Sequence, residues 1–324
     1  MYTPALRTRR IAKPVKPPAL APGDLLRAIS PASPAPADAI SRGASELERL
    51  GYRVRFTSPE MKPEGYFAGT LARRTAELSA ALADAEARAI VCVRGGYGSG
   101  TLLAGLRLPR RARPKLVIGY SDITMLHAFL WRRFRWTSLY GPMVVGGFDR
   151  GAEQPAGYDR SSFLDAVGGA QRSWSIGLDG EALFRGEATG IVLGGCLTLL
   201  QSCIGTPWDL DTRGAILLLE DRAVKPYQLD RKLLHLAQAG KFGRVRGVVL
   251  GEFPDSEPPA GSSVTMRDVC RRVFGAMGIP VVFGAAIGHT PRPMLTIPLG
   301  VRGRLISSGA GKLEILETAV VPTK

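Results

Sequence analysis

The chain has 324 residues, of which 45% are hydrophobic and 22% charged, a composition typical of a soluble globular protein with one large or two ordinary domains. Its formal net charge of +15 predicts a basic surface that attracts anionic substrates. Nucleic acid is a less favoured partner because the arginine clusters lack interleaved aromatics and a recognisable binding module. No apolar run approaches the length of a membrane span, so no membrane is predicted either.

The cysteines and histidines indicate neither a metal centre nor a disulfide framework. Four cysteines, at 92, 196, 203 and 270, lie in apolar surroundings without paired spacing, which predicts reduced core residues of a cytoplasmic protein. With three histidines and no Cys/His cluster, no metal or organic cofactor is predicted. The first twenty residues carry five basic groups and four prolines but no apolar signal core. Residues 1–19 are therefore predicted to be a disordered basic arm.

Strand and helix patterns alternate between residues 20 and 147, which predicts an N-terminal α/β domain. The predicted elements are strand 25–29, helix 38–50, strand 52–56, helix 75–87 and strand 89–93. This order is typical of a parallel sheet with right-handed crossovers. Ligands of such sheets bind at the carboxyl ends of the strands.

A glycine-rich segment, 94–100 (RGGYGSG), follows the third predicted strand directly. Its spacing does not match the G-x-G-x-x-G of a dinucleotide-binding turn, and its ordered flanks argue against an RNA-binding RGG tract. A third interpretation is a loop whose N–H groups face a ligand or a developing oxyanion. We favour this third interpretation.

Ser121 lies between a short apolar strand, 116–118, and a helical pattern over 123–133. A serine on such a sharp turn projects its hydroxyl out of the sheet, beside N–H groups at a helix start, which suits a nucleophile next to an oxyanion hole. The alternative is an N-cap, whose hydroxyl only accepts a bond from an early helical N–H. Since this turn and the glycine loop both follow strands, we expect them at the same edge of the sheet.

Residues 148–180 lack sustained periodicity and are predicted to link this domain to a second one over 181–318. Two apolar strands of the second domain end in ionisable side chains. Segment 214–220 ends in Glu220, and segment 280–289 runs into a Gly-His turn at His289. Strand ends are recurrent positions of catalytic groups, although each could simply mark where a buried strand meets water.

A serine nucleophile needs a histidine base, and that histidine needs a carboxylate to fix its tautomer. A turn presents His289 freely, and Glu220 is the favoured carboxylate. The alternative carboxylates are Asp221 and Asp230. His127 lies six residues beyond Ser121 on the same predicted helix and should point away from its hydroxyl, and His235 lies on a leucine-rich helix.

Taken together, these motifs resemble those of the LD-carboxypeptidases (muramoyltetrapeptide carboxypeptidases), cytoplasmic serine peptidases of peptidoglycan recycling. The resemblance spans residues 20–316. It rests on PGD at 22–24 with SP at 30–31, RGGYG at 94–98, GYSDIT at 119–124, GTP at 205–207, LED at 219–221, PYQLDR at 226–231, GH at 288–289 and PLG at 298–300. It implies a flavodoxin-like or glutamine-amidotransferase-like N-terminal domain, a smaller β-rich α/β C-terminal domain, and a homodimer.

The resemblance also implies roles for individual residues. Ser121 would be the nucleophile, His289 the general base, and Glu220 the carboxylate that orients His289, with the triad assembled across the two domains. The implied oxyanion hole consists of backbone N–H groups of Gly96 and Asp122, and the candidate substrate contacts are Arg94 and Gly95.

The implied reaction is hydrolysis of the L,D-peptide bond to the terminal D-Ala of muropeptide tetrapeptides. The alternative within the family is an amidase that cleaves peptide–nucleotide antibiotics and confers immunity, with Trp136, Trp174 or Trp208 available for a nucleoside pocket. A silent nucleic-acid-binding protein is the alternative from another class. Two departures bear on the substrate: Cys196 stands where the family commonly has asparagine, and Lys225 where an acidic residue is frequent.

Overall fold

The computed structural model describes residues 13–57, 62–108, 112–169, 171 and 173–322. The strands in these ranges are β1 (Leu25–Ile29), β2 (Arg53–Phe56), β3 (Ala87–Cys92), β4 (Leu116–Gly119), β5 (Ser138–Tyr140), β6 (Trp174–Gly177), β7 (Glu181–Phe184), β8 (Gly186–Cys196), β9 (Ala215–Glu220), β10 (Gly247–Gly251), β11 (Val281–Ala285), β12 (Ile297–Leu299), β13 (Arg302–Ser307) and β14 (Lys312–Ile315). The helices are α1 (Ala37–Arg49), α2 (Leu71–Ala83), α3 (Ser99–Leu103), α4 (Thr124–Phe134), α5 (Arg160–Gly168), α6 (Leu197–Cys203), α7 (Pro226–Gln238) and α8 (Met266–Phe274).

The first sheet has the strand order β12-β5-β4-β3-β1-β2. All neighbouring pairs are parallel except β12 and β5. Strand β4 is buried along its whole length and β3 is buried at every position but one, as expected for central parallel strands covered on both faces. The predicted α/β class with a parallel N-terminal sheet is confirmed.

The second sheet has the order β6-β14-β13-β8-β9-β10-β11-β7. Its central strands, β8 to β11, are parallel, whereas the flanking pairs are antiparallel. Strand β9 (AILLLE) is entirely buried, and its last residue is Glu220. The carboxyl ends of β8, β9 and β11 therefore place Cys196, Glu220 and the turn after β11 at one edge.

The division of the chain between the sheets differs from the prediction. Strand β12, far along the chain, pairs with β5 and so completes the first sheet, with Pro298 opposite Leu139. The predicted linker over 148–180 contains helix α5 and strand β6. Both elements are too short to produce the sustained periodicity on which the prediction depended.

The predicted disordered arm is ordered in its described part. Residues 1–12 lie outside the described residues, whereas 13–19 run along the fold. The N–H of Val15 donates to the Arg135 carbonyl at 2.8 Å, and that of Ala19 donates to the Val321 carbonyl at 2.8 Å. Proline removes the N–H only at positions 14, 17 and 18, which leaves these two donors free to pair.

The start of helix α2 is set by a capping side chain and not by the hydrophobic pattern alone. Helix α2 begins four residues before its predicted start of 75, because the Thr70 hydroxyl accepts a bond from the Arg73 N–H at 3.1 Å and caps it. Helices α1, α2 and α7 have 13 residues each. Within the described ranges, no helix combines the length and the apolar character that crossing a membrane requires.

Candidate active site

A cleft of about 820 Å³ lies where the carboxyl ends of the two sheets meet. Its walls come from the segments that follow β3, β4, β8, β9 and β11. The predicted site residues that line it are Arg94, Gly95, Gly96, Ser121 and His289. The expectation that the glycine loop and the serine turn share one edge is therefore met by the fold.

Ser121 follows β4 in a 3-10 turn, Ser121–Ile123, with a positive φ of 61°. A non-glycine residue in this region is strained and marks a sharp strand-to-helix turn. The starts of this turn and of α4 have no side-chain cap, so the N-cap alternative for Ser121 is not what the structure has. A Cβ on Gly95 would lie 2.9 Å from Ser121 Cβ, so the glycine loop passes directly against the serine.

Glu220 and His289 form a hydrogen-bonded pair. Glu220 is fully buried, and its Oε2 accepts from both the His289 backbone N–H, at 3.0 Å, and the His289 ring at Nδ1, at 2.8 Å. Burial alone would raise the pKa of Glu220, but its electrostatic interaction with His289 and the hydrogen bonds it accepts outweigh burial and hold the pKa below its usual range. Among the hydrogen bonds of the described residues Nε2 of His289 has no partner, and His289 lines the cleft.

The turn before His289 requires glycine. Gly288 has a φ of 60°, and a Cβ there would lie 2.4 Å from Cδ of the Glu220 carboxylate. The Gly-His motif therefore allows the chain to turn tightly over the carboxylate and to present both His289 donors to it.

Neither Asp221 nor Asp230 occupies the place of Glu220. Asp221 accepts from the Thr198 hydroxyl at 2.6 Å and from the Thr198 N–H at 3.1 Å. Asp230 forms a surface ion pair with Arg272. Glu220 is thus the one of the three predicted carboxylates that contacts His289.

Two backbone N–H groups near Ser121, those of Gly96 and Asp122, have no acceptor among the hydrogen bonds of the described residues. The Asp122 side chain itself is buried and accepts from the Ser99 N–H at 2.7 Å, while the Ser99 hydroxyl donates to the Asp122 carbonyl at 2.7 Å. These bonds fix the start of α3 against the serine turn. Free N–H groups held rigidly beside a serine can bind an oxyanion.

Sequence comparison places these features in a known family. The LD-carboxypeptidase N-terminal domain model matches residues 26–141, and the C-terminal domain model of that family matches residues 189–305.

The chain belongs to the LD-carboxypeptidase family.

Individual relatives agree with this assignment. The probable murein peptide carboxypeptidase of Bacillus subtilis (strain 168) is 32% identical over 308 residues, which are 94% of this chain and 95% of that protein. The microcin C7 self-immunity protein MccF of Escherichia coli is 28% identical over 316 residues, 87% of this chain and 90% of that one. The solved muramoyltetrapeptide carboxypeptidase of Oxalobacter formigenes superposes with a TM-score of 0.80 at 27% identity, covering 92% of this chain and 100% of that chain.

In this member of the LD-carboxypeptidase family, Ser121 and His289 line the same cleft, yet no hydrogen bond joins the Ser121 hydroxyl to the His289 ring in the part of the chain described. Catalytic hydrogen bonds of unliganded enzymes commonly tighten only when substrate binds. The structure therefore places Ser121 and His289 in one cleft and joins His289 to Glu220 by a hydrogen bond. The catalytic roles of the three residues stay predictions.

Two buried side chains were missed by the sequence analysis. Tyr140, at the end of β5, contacts both Ser121 and Glu220. The Arg74 guanidinium of α2 donates to the carbonyls of Gly98, at 3.0 Å, and Pro31, at 2.8 Å, and so ties the glycine loop to the rest of the domain. Neither residue lies in a recognisable motif, and only the three-dimensional packing reveals their partners.

Cys196, which the resemblance marks as a departure from the usual asparagine, lines the cleft beside Asp221. Its Sγ lies 3.7 Å from Asp221 Oδ1, and burial raises the pKa of this thiol well above its usual value. The thiol therefore stays protonated at neutral pH and is a weak donor where an amide would offer two. Lys225 lies outside the cleft, at the N-cap of α7.

The three tryptophans named as available for a nucleoside pocket lie outside the cleft. Trp136 and Trp174 are buried at 2% and 7% exposure, and Trp208 packs against Phe129 with ring centroids 6.2 Å apart. The described lining of the cleft contains none of the three. None of the three tryptophans available to a nucleoside pocket is therefore placed to form one in this cleft. Among the described residues no cluster of three His, Cys, Asp or Glu side chains could hold a metal ion.

The two remaining histidines lie away from the Glu220–His289 pair. His127 is buried on α4, and its Nε2 lies 2.9 Å from the Gly119 carbonyl, which makes Nε2 the protonated nitrogen. His235 is exposed on α7, with Nδ1 2.9 Å from Gln201. Burial lowers the pKa of His127 to about 4.

The depressed pKa of His127 predicts an acid-sensitive fold. The unfolded chain takes up this proton near the ordinary pKa of 6.5, whereas the folded protein takes it up only near 4. Stability should therefore fall as the pH falls through this window, by about 3 kcal/mol from this group. Urea denaturation from pH 7 to 4 measures the loss. We expect His127→Gln, whose amide can still donate to Gly119, to flatten the decline, and an unchanged decline in this variant would contradict the prediction.

Proposed function

We propose that this protein is a serine-type LD-carboxypeptidase that removes the terminal D-Ala from muropeptide tetrapeptides. The observation that carries the proposal is the buried Glu220–His289 pair, which shares a cleft with a strained serine turn at Ser121. The names of the relatives from Bacillus subtilis and Oxalobacter formigenes support the choice of a murein peptide as substrate.

In the proposed reaction, Ser121 Oγ attacks the carbonyl carbon of the L,D-peptide bond while His289 Nε2 takes the hydroxyl proton. Glu220 holds the His289 ring through Nδ1 and stabilises the imidazolium. The N–H groups of Gly96 and Asp122 bind the oxyanion. His289 then protonates the leaving nitrogen, and D-alanine departs as the acyl-enzyme forms. A water molecule, deprotonated by His289, hydrolyses the ester and restores the Ser121 hydroxyl.

The cleft lining carries three arginines and three aspartates, and one of the arginines is available to a substrate carboxylate. Of its arginines, Arg222 lies 2.5 Å from Asp255, and Arg150 lies 3.7 Å from Asp149. Within the described ranges Arg94 has no carboxylate partner and is bonded only to the Pro34 carbonyl, at 2.9 Å. We infer that Arg94, beside the glycine loop, contacts a substrate carboxylate, and that Gly95 leaves room for the substrate next to Ser121.

A second candidate is the related amidase activity on peptide–nucleotide antibiotics. The resemblance to the microcin C7 self-immunity protein favours it. The position of the tryptophans weighs against it, because the described cleft wall offers no indole for stacking on a base.

A side-by-side assay tests the choice. Pure protein is incubated with a murein tetrapeptide that ends in D-Ala, with the same peptide ending in L-Ala, and with an aminoacyl-nucleotide amide. We expect mass spectrometry to show tripeptide and free alanine only from the first. Cleavage of the nucleotide amide alone would move the assignment to the second candidate, and cleavage of none would overturn both.

Location and assembly are further parts of the proposal. All four cysteines are free and buried, which supports a reducing compartment such as the cytoplasm. We propose a homodimer on the strength of the family resemblance. Light scattering coupled to size-exclusion chromatography measures the mass directly, and a value near the 34.7 kDa of one chain would contradict the dimer.

A further inference from the structure

Tyr140 connects the two halves of the site. It is fully buried at the end of β5, in the first sheet, and its hydroxyl donates to Glu220 Oε1 of the second sheet at 2.5 Å. The same hydroxyl accepts from the Ser121 backbone N–H at 3.3 Å. One phenol oxygen thus touches the peptide of the serine turn and the carboxylate that holds the histidine.

The second sheet leaves space for this contact. Gly195 has a φ of 143°, and a Cβ on it would lie 3.0 Å from Tyr140 Cε2 and 2.6 Å from the Thr124 hydroxyl. Because Gly195 has no side chain, β8 can approach the first sheet closely here, and the Cys196 N–H donates to Thr124 Oγ1 at 3.0 Å. The Gly-Gly segment before Cys196 therefore accommodates the tyrosine ring.

The hydrogen bonds of Glu220 divide between its two oxygens. Oε1 receives the Tyr140 hydroxyl, while Oε2 receives both donors of His289. Without the Tyr140 donor, Oε1 would be a buried acceptor that lacks its present partner, and the carboxylate could rotate to share its oxygens differently with His289. A buried carboxylate is costly unless its oxygens are bonded.

We propose that Tyr140 is a positioning residue of the hydrolytic reaction, which holds Glu220 in the rotamer that directs Oε2 at His289 and ties that carboxylate to the serine turn. The inference rests on the proposed function, because it assigns Tyr140 a part in activating Ser121. The hydroxyl acts through Glu220 and the Ser121 peptide and does not itself touch the substrate.

The test compares Tyr140→Phe with a matched control, Tyr158→Phe. Tyr158 is also buried, and its hydroxyl donates to a carboxylate, Glu46 Oε1, at the same 2.5 Å, but it does not line the described cleft. We expect Tyr140→Phe to lower kcat on the tetrapeptide by about 10- to 100-fold with little change in KM, as for loss of a hydrogen bond to a charged group. Tyr158→Phe should keep the wild-type kcat, even if both variants lose thermal stability.

The pH profile separates positioning from general destabilisation. The ionisable groups around Glu220 are His289, Tyr140, Tyr120, Cys196 and Asp221. The Tyr140 hydrogen bond is one of the interactions that lower the pKa of Glu220, so its removal should raise the proton affinity of the hydrogen-bonded Glu220–His289 pair and move the acid limb of kcat/KM to higher pH. The other groups are common to both variants, and Tyr158→Phe should leave the limb in place.

A serine-directed fluorophosphonate supplies a readout that needs no muropeptide. We expect it to label the wild type and Tyr158→Phe at equal rates, and Tyr140→Phe more slowly. Wild-type kcat and an unmoved acid limb in Tyr140→Phe would overturn the positioning role, as would an equal loss of activity in the control. A wild type that is labelled but leaves every muropeptide intact would overturn the substrate alone, and labelling rates would then decide the role of Tyr140.

Discussion

Replacing Ser121 with alanine is expected to lower kcat on the tetrapeptide by roughly 10⁴- to 10⁶-fold, because the acyl-enzyme can no longer form. KM should change little, since the hydroxyl is one small group in a cleft of about 820 Å³. The variant should also lose fluorophosphonate labelling completely. Steady-state kinetics by mass spectrometry of released D-alanine measures the effect.

The control for this variant is Ser308→Ala. Ser308 is an exposed residue that follows β13, and it does not line the described cleft. It should keep wild-type kcat and labelling. Turnover by Ser121→Ala within tenfold of the wild type would end the assignment of the nucleophile and, with it, the proposed acyl-enzyme.

The second large effect is expected for Glu220→Gln, with a loss in kcat of about 10⁴-fold. Glu220 accepts three hydrogen bonds, from Tyr140 and from two N–H groups of His289, and donates none. A glutamine amide must turn its NH₂ group towards one of these donors. It would therefore either break a bond or force the His289 ring into the tautomer whose Nε2 is already protonated and cannot accept the serine proton.

A matched control distinguishes this electronic effect from lost stability. Glu77 is likewise buried, at 4% exposure, and accepts a bond from the Ser30 N–H at 3.0 Å. Glu77→Gln should lower the melting temperature without a large change in kcat. If both glutamine variants lose activity in proportion to their melting temperatures, Glu220 is a structural carboxylate and the triad assignment is wrong.

Much of the candidate site could be predicted because its ionisable and nucleophilic side chains lie at the ends of strands. Ser121 and the Gly-His turn follow apolar strands and Glu220 ends one, so parallel strand order places each group at the carboxyl edge of its own sheet. The strand patterns are local, so the sequence alone reveals them. The catalytic roles of these residues stay predictions until the variants are measured.

Other features depend on contacts between distant segments, which no local pattern encodes. Tyr140 meets Glu220 across 80 positions of the chain, and its strand of three residues is too short to mark it as special. Strand β12 is equally short, and its pairing with β5 joins segments separated in the chain by six strands of the second sheet, β6 to β11. The domain boundaries predicted from composition therefore did not show that the chain returns to the first sheet at β12.

That return has a mechanical consequence. His289 stands between β11 of the second sheet and β12 of the first, so the backbone carrying it is anchored on both sides. A hinge-like opening of one sheet against the other would displace the segment 286–296, which carries His289, and would strain the two-residue connection, 300–301, between β12 and β13. We therefore expect the cleft to be largely preformed before its ligand binds, with selectivity set by the side chains that line its entrance.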